Sequence, residues 1–148
     1  MKKMSWQSVG VLALGIPVFV FLIFFVLNTS PVLIFGPPGS VKIVPPSVGS
    51  DADAEICFDE ITWLRFCPSA FNYYIINESD GKRTDYEPHA INRSSSTKIG
   101  VPIKKCRAWH VPKAESGKKT MFAWSTSRCP WGAMEIRTDI PPVKFIIQ

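Results

Sequence analysis

Residues 61–81 read ITWLRFCPSAFNYYIINESDG, and this stretch decides the fold class. It opens on Ile61-Thr62-Trp63-Leu64-Arg65-Phe66 and repeats the theme in Phe71-Asn72-Tyr73-Tyr74-Ile75-Ile76. Branched and aromatic side chains of this kind fit a pleated, half-buried surface better than a helix turn. Pro68 separates the two runs, and Asn77-Glu78-Ser79-Asp80-Gly81 ends the second with a strong turn signal. The stretch therefore predicts two successive strands with a turn after the second.

Working outward, the same signal recurs. Residues 99–101 and 103–111 form a third region, and Ala114-Glu115-Ser116-Gly117 turns the chain into 120–125. Residues 133–137 and 143–147 complete the set, and Pro88, Pro102, Pro112, Pro130, Pro141 and Pro142 punctuate it. No window carries a 3.6-residue apolar stripe. Seven or eight short strands at roughly ten-residue spacing predict a mainly β fold over 54–148. The expected form is a small immunoglobulin-like β-sandwich, with a small open β-barrel as the runner-up. Trp63, Trp109, Trp124 and Trp131 are expected to supply core area.

The N-terminal third is of a different kind. Between Lys3 and Lys42 there is no charged residue, and residues 9–27 are apolar except for Gly10, Gly15 and Pro17. About 20 apolar residues in a helix cross a hydrocarbon core. A signal peptide has an apolar run of only about 7–15 residues and a small-residue cleavage site directly after it, whereas Asn28-Thr29-Ser30-Pro31 follows here. The reading is an uncleaved transmembrane helix over 8–28. Lys2 and Lys3 place residues 1–7 in the cytoplasm by the positive-inside rule, and Trp6 is an interfacial anchor. Residues 29–53, with Pro31, Pro37, Pro38, Pro45 and Pro46, read as a Pro/Gly-rich tether holding an extracytoplasmic domain, 54–148, off the bilayer. Within it, residues 41–44 are an alternative first edge strand.

Cys57, Cys67, Cys106 and Cys129 all lie on the outer side of that helix. An even count in a small domain outside the cytosol predicts two disulfides. Three pairings are possible. The favoured one joins Cys57 to Cys67 and Cys106 to Cys129, the second closing a hairpin that turns near Gly117.

The chain is 148 residues long with a net charge of +5. Without Lys2 and Lys3 the net falls to +3, and nucleic-acid binding is not expected. Lys98, Lys104, Lys105, Arg107, Lys113, Lys118 and Lys119 fall on the predicted hairpin, which would give it a cationic face toward a protein partner or an anionic envelope surface. Tyr73, Tyr74 and Tyr86 are the candidate contact aromatics. No C-x-x-C, G-x-S-x-G or phosphate-cradling glycine loop occurs, so neither a catalytic set nor a cofactor is expected. Asp51, Asp53, Glu55, Asp59 and Glu60 lack the alternation and central glycine of a calcium loop. Asn28, Asn77 and Asn92 sit in N-x-[ST] sequons.

The expected function is binding: a membrane-anchored accessory or scaffold subunit of an envelope or phage assembly, with the bilayer as one partner through 8–28. The alternatives are a copper or redox domain using His89, Cys106, His110 and Met121, a cleaved secreted protein, and a lysis or exclusion factor acting through its helix.

Overall fold

The computed structural model of the protein describes residues 6–111, 113–130 and 134–148, with side chains from residue 15 onward except at 27 and 28. Helix α1 runs Trp6–Thr29 and is followed, among the described residues, by ten strands: β1 Leu33–Phe35, β2 Val41–Val44, β3 Ser47–Val48, β4 Asp53–Trp63, β5 Ser69–Asn77, β6 Arg83–Asp85, β7 His89–Ala90, β8 Pro102–His110, β9 Gly117–Ser127 and β10 Ile136–Ile147. Trp131, expected in the core, lies outside the described residues, as do Lys2, Lys3 and the side chain of Trp6.

The strands form two sheets. In one, β4 is central, with β8 on one side and β1 and β2 end to end on the other. In the other the order is β3-β10-β9-β5, with β6 and β7 both pairing β5. All pairs are antiparallel except β3 with β10. The inner faces alternate at period two, as strand geometry requires. Ile56 and Phe58 of β4, Phe71, Tyr73 and Ile75 of β5, Met121 and Ala123 of β9, and Val143, Phe145 and Ile147 of β10 are all buried. Each such large side chain contributes about 1.5–3 kcal/mol of burial.

Two β-bulges keep that alternation in phase. Between Phe58 and Ile61, β4 carries one residue more than β8, so Ile61 and Trp63 return to the inner face. Gly36 sits against this bulge, its amide donating to the Glu60 carbonyl at 3.0 Å. A Cβ there would lie 2.8 Å from Ser40 and 3.1 Å from Glu60. The Asp59 carboxylate reaches Lys42 of β2 at 2.6 Å and Lys104 of β8 at 2.9 Å, clamping three strands across the irregularity. Hydrogen bonding to Lys42, then Lys104, holds the Asp59 carboxyl below its ordinary range. The second bulge falls between Ile140 and Val143 and contains Pro141 and Pro142, which have no N–H to give a ladder. The strands expected at 133–137 and 143–147 are therefore not separate: Ile136 and Arg137 of the first lie with 143–147 in one β10, and residue 133 lies outside the described residues.

Three expectations are corrected. First, the tether of 29–53 contains β1, β2 and β3. Val32 and Leu33 are fully buried, and the Val32 carbonyl accepts from Leu64 N at 2.9 Å. The alternation of Val41 and Ile43 with Lys42 and Val44 builds β2 onto β4, with the inner two buried. Second, β8 and β9 are not a hairpin, because they belong to different sheets. Third, the disulfides are Cys57–Cys106 and Cys67–Cys129. Cys57 and Cys106 are direct cross-strand partners on β4 and β8, with Cα atoms 4.0 Å apart. Cys67 and Cys129 continue the β5–β9 pairing two residues beyond the Ser69–Ser127 pair. Trp124, also assigned to the core, instead lies on the outer face under Arg137.

Helix α1 stands apart from this core. Its described apolar side chains, Ile16 and Val18 to Val26, are exposed. Among the described residues no helix is long and apolar enough to cross a membrane. The Ser30 carbonyl beyond the helix end accepts from the Arg65 guanidinium, and β1 begins at Leu33, so the chain passes from helix to sheet with little slack.

Peptide mapping without reduction is expected to recover Cys57 joined to Cys106 and Cys67 joined to Cys129; a peptide joining Cys106 to Cys129 would refute this topology. Removing the second bridge as C67A/C129A is expected to lower the unfolding free energy by about 2–4 kcal/mol in a denaturant titration.

Candidate functional site

One side of the two-sheet domain is closed and the other open. On the closed side the chain crosses from β2 in one sheet to β3 in the other, where β3 pairs β10. On the open side β8 is the edge of its sheet and faces the short β7, with no pairing between them. Between the sheets there lies an open cavity of about 540 Å³. Leu33 and Phe35 of β1, Ile56, Phe58 and Ile61 of β4, Phe71 and Tyr73 of β5, and Trp109 of β8 give it an apolar wall. Small-molecule sites occupy about 300–1,000 Å³ and are mostly apolar, so the cavity has the size and lining of one.

The polar groups of this site follow from register. Lys105 is the cross-strand partner of Phe58, and Arg107 that of Ile56. Partners directly opposite share a face. Both cations therefore lie on the inner face, in the series Ile103, Lys105, Arg107, Trp109, and both line the cavity. Lys105 Nζ donates to the Asn92 carbonyl, and Arg107 donates to the Ala90 carbonyl at 3.1 Å. The two side chains thus cross the mouth from one sheet edge to the other. Deeper in, Trp109 Nε1 donates to the Tyr73 hydroxyl at 3.1 Å. Burial raises the Tyr73 phenol above its ordinary pKa.

The sequence candidates are distributed differently from expectation. Tyr73 is buried and stacks on half-buried Tyr86, with ring centroids 4.9 Å apart. Tyr74 points to the opposite face, stacks on Phe122 at 5.2 Å and carries Arg83 over its ring. The three tyrosines do not share one surface. The cationic hairpin face also fails to form, because β8 and β9 lie in different sheets. Lys104 is outward and paired with Asp59, Lys118 is exposed on β9, and Lys119 is buried on the inner face of β9. Asn77 is buried at 8% exposure, which removes it as a glycan acceptor, while Asn92 is exposed.

The copper set is not assembled. Cys106 is bonded to Cys57, Met121 is fully buried on β9, and both ring nitrogens of His110 are engaged by carboxylates. Glu55, Cys57 and Cys106 do cluster within 4.8 Å. Their two sulfurs are bonded to each other, so only one carboxylate is left as a ligand. The acidic residues near β4 serve instead as partners: His110 Nδ1 lies 2.9 Å from Asp53 and Nε2 3.0 Å from Asp51.

The inner-facing cations were legible in principle. Period-two reading of 103–109 places Lys105 and Arg107 on the same face as Ile103 and Trp109, and two charges on an apolar face signal a lined opening.

No protein-family model matches the chain, and no curated protein matches it in sequence. Solved structures match at the level of general shape. One is the Pseudomonas fluorescens alkylpurine DNA glycosylase AlkC bound to DNA containing an abasic site analog, with TM-score 0.47 and 12% identity over 86% of this chain. This chain spans only 33% of that one. The C-terminal domain of Wzt gives TM-score 0.45 and 12% identity, covering 82% of this chain and 81% of that one. A Niemann-Pick type C2 protein from Japanese carpenter ant gives 0.42 and 11%, covering 78% of this chain and 99% of that one. Likeness this weak carries no functional argument.

Hydrogen bonding to Asp53, then Asp51, raises the pKa of His110 above 6.5. The ring is charged in both folded and unfolded states below that value, where its contribution to stability is fully present; the contribution is lost as pH rises through the folded-state pKa. An NMR titration is expected to give His110 a pKa above 6.5, and H110N is expected to remove that part of the pH dependence of unfolding. A ring titrating at or below 6.5 would show that the Asp51–His110–Asp53 bridge does not form in solution.

Proposed function

We propose that the chain is a membrane-anchored domain on the oxidising side of a membrane, and that it works by binding an apolar ligand between its sheets rather than by catalysis. The observation that carries this reading is the 540 Å³ apolar cavity on the open side of the sandwich. Two disulfides are consistent with an extracellular or periplasmic setting.

Anchoring is supported by the sequence: residues 9–27 are apolar except for Gly10, Gly15 and Pro17, and about 20 apolar residues in a helix cross a hydrocarbon core of about 30 Å. The described apolar side chains of α1, Ile16 and Val18 to Val26, are exposed, and Lys2 and Lys3 favour a cytoplasmic N-terminus. Pro17, inside the helix, is tolerated in membrane spans.

A second reading, docking of a protein partner as in an envelope or phage assembly, is supported by the outer face of β5, β9 and β10. There Tyr74, Phe122 and Trp124 form an aromatic strip, with Arg83 3.9 Å from the Tyr74 ring and Arg137 4.5 Å from that of Trp124. Cation–π contacts of this kind set charge beside aromatic area on one face.

The protein is expected to stay in the membrane pellet after alkaline carbonate washing, and release into the supernatant would refute the anchor. A polarity-sensitive apolar dye is expected to brighten on binding the full chain in neutral nanodiscs. Ile91→Trp, at the cavity lining, is expected to weaken that binding at least about tenfold, or about 1.4 kcal/mol, with an unchanged melting profile. Equal dye binding by the parent and the Ile91→Trp variant would refute the cavity as the site.

A further inference from the structure

We propose that the ligand of the inter-sheet cavity is a single-chain amphiphile with an anionic head, its chain between the sheets and its head held at the mouth by Lys105 and Arg107. This inference rests on the cavity reading above and adds the chemistry of the ligand.

The first argument is charge. The described lining of the cavity contains no aspartate or glutamate, and neither Lys105 nor Arg107 makes an ion pair among the described residues. Lys104, one residue away on the outer face, is paired with Asp59 at 2.9 Å. The strand thus neutralises its outward cation and leaves its two inward cations facing an apolar wall. Low-dielectric walls strengthen the field of such charges and favour a counter-anion at the opening.

The second argument is donor capacity. Each cation donates to one backbone carbonyl, of Asn92 or Ala90. A guanidinium has five N–H donors and an ammonium three. Both retain donors for a carboxylate or phosphate oxygen, and such charge-assisted bonds are the stronger class. The carbonyl bonds hold the two heads in place across the mouth before a ligand arrives.

The third argument is the supply route. Leu33 and Phe35 line the cavity and belong to the first strand after α1, which ends at Thr29. Six residues of extended chain span at most about 20 Å. With α1 in a bilayer, part of the cavity wall therefore lies close to the membrane surface, where single-chain anionic amphiphiles are released from lipids. Neutral apolar molecules would fill the wall but leave both cations unanswered.

The test uses the full chain in nanodiscs of neutral phosphatidylcholine and two photoactivatable probes with a mid-chain diazirine: a sixteen-carbon carboxylate and the alcohol of the same length. Crosslinked peptides are read by mass spectrometry. The carboxylate is expected to label peptides containing Phe58, Phe71 or Tyr73 several-fold more than the alcohol does. K105Q/R107Q is expected to lower carboxylate labelling at least fivefold and leave alcohol labelling unchanged. Lys104→Gln, on the outer face, is expected to change neither, and melting curves confirm that the variants are folded. Equal labelling of the cavity by both probes, unaffected by K105Q/R107Q, overturns the anionic-head inference while the cavity reading stands. Labelling of α1 alone by both probes overturns the cavity reading and this inference with it.

Discussion

The bulge in β4 is the constraint on which the rest of the structure depends. A strand that alternates strictly would bury Ile56 and Phe58 and then turn Ile61 and Trp63 outward. One extra residue at 59–60 restores the phase, so a single eleven-residue strand presents four large side chains to one core. The same irregularity divides the partner edge into β1 and β2, with the Gly36 turn folded over the break. It also turns Asp59 toward two lysines on neighbouring strands. The register of β8, and with it the inward position of Lys105 and Arg107, follows from how β4 is phased.

The two sides of the two-sheet domain are managed differently. The closed side is sewn by the chain itself, as β2 passes to β3 and β3 joins the C-terminal end of β10. On the open side the edges do not meet, and among the described residues Lys105 and Arg107 reach across the gap. Leaving a cavity between apolar walls forgoes packing contacts that a filled core would gain. The disulfides offset part of that. Cys57–Cys106 ties the edge strand β8 to the centre of its sheet, and Cys67–Cys129 ties the crossing between sheets to the end of β9. Both restrict the unfolded chain over separations of 49 and 62 residues. Cross-links at these places hold an edge that hydrophobic contact alone leaves unfilled.

Much of the fold was legible from residue type. The runs at 61–66 and 71–76 read as strands because branched and aromatic residues pack on a pleat, and each lies in or against an observed strand. The paired cysteines read as disulfides because four of them fall in one small segment. Pairing was not legible, since it depends on which strands become neighbours. A turn near Gly117 looked like a hairpin, yet β8 and β9 feed different sheets. The prolines at 31–46 looked like a tether because proline disfavours ladders; Val32, Leu33, Val41 and Ile43 between them carry the short strands. Pro141 and Pro142 looked like a strand break because a bulge, which needs no ladder N–H there, cannot be seen without its partner strand.

What the sequence by itself determined is local: an apolar run over 9–27, period-two segments after it, and enough cysteine to staple a small domain. These depend on side-chain shape and polarity within a few residues of one another. What only the tertiary structure decided is non-local: which cysteines meet, which strands share a sheet, and at which side the two sheets stay apart. Lys105 and Arg107 show the difference. Their spacing is visible in the chain, but their place at the mouth of a cavity arises from partners about fifty residues away on β4, and alternation within one strand carries no information about what lies opposite it.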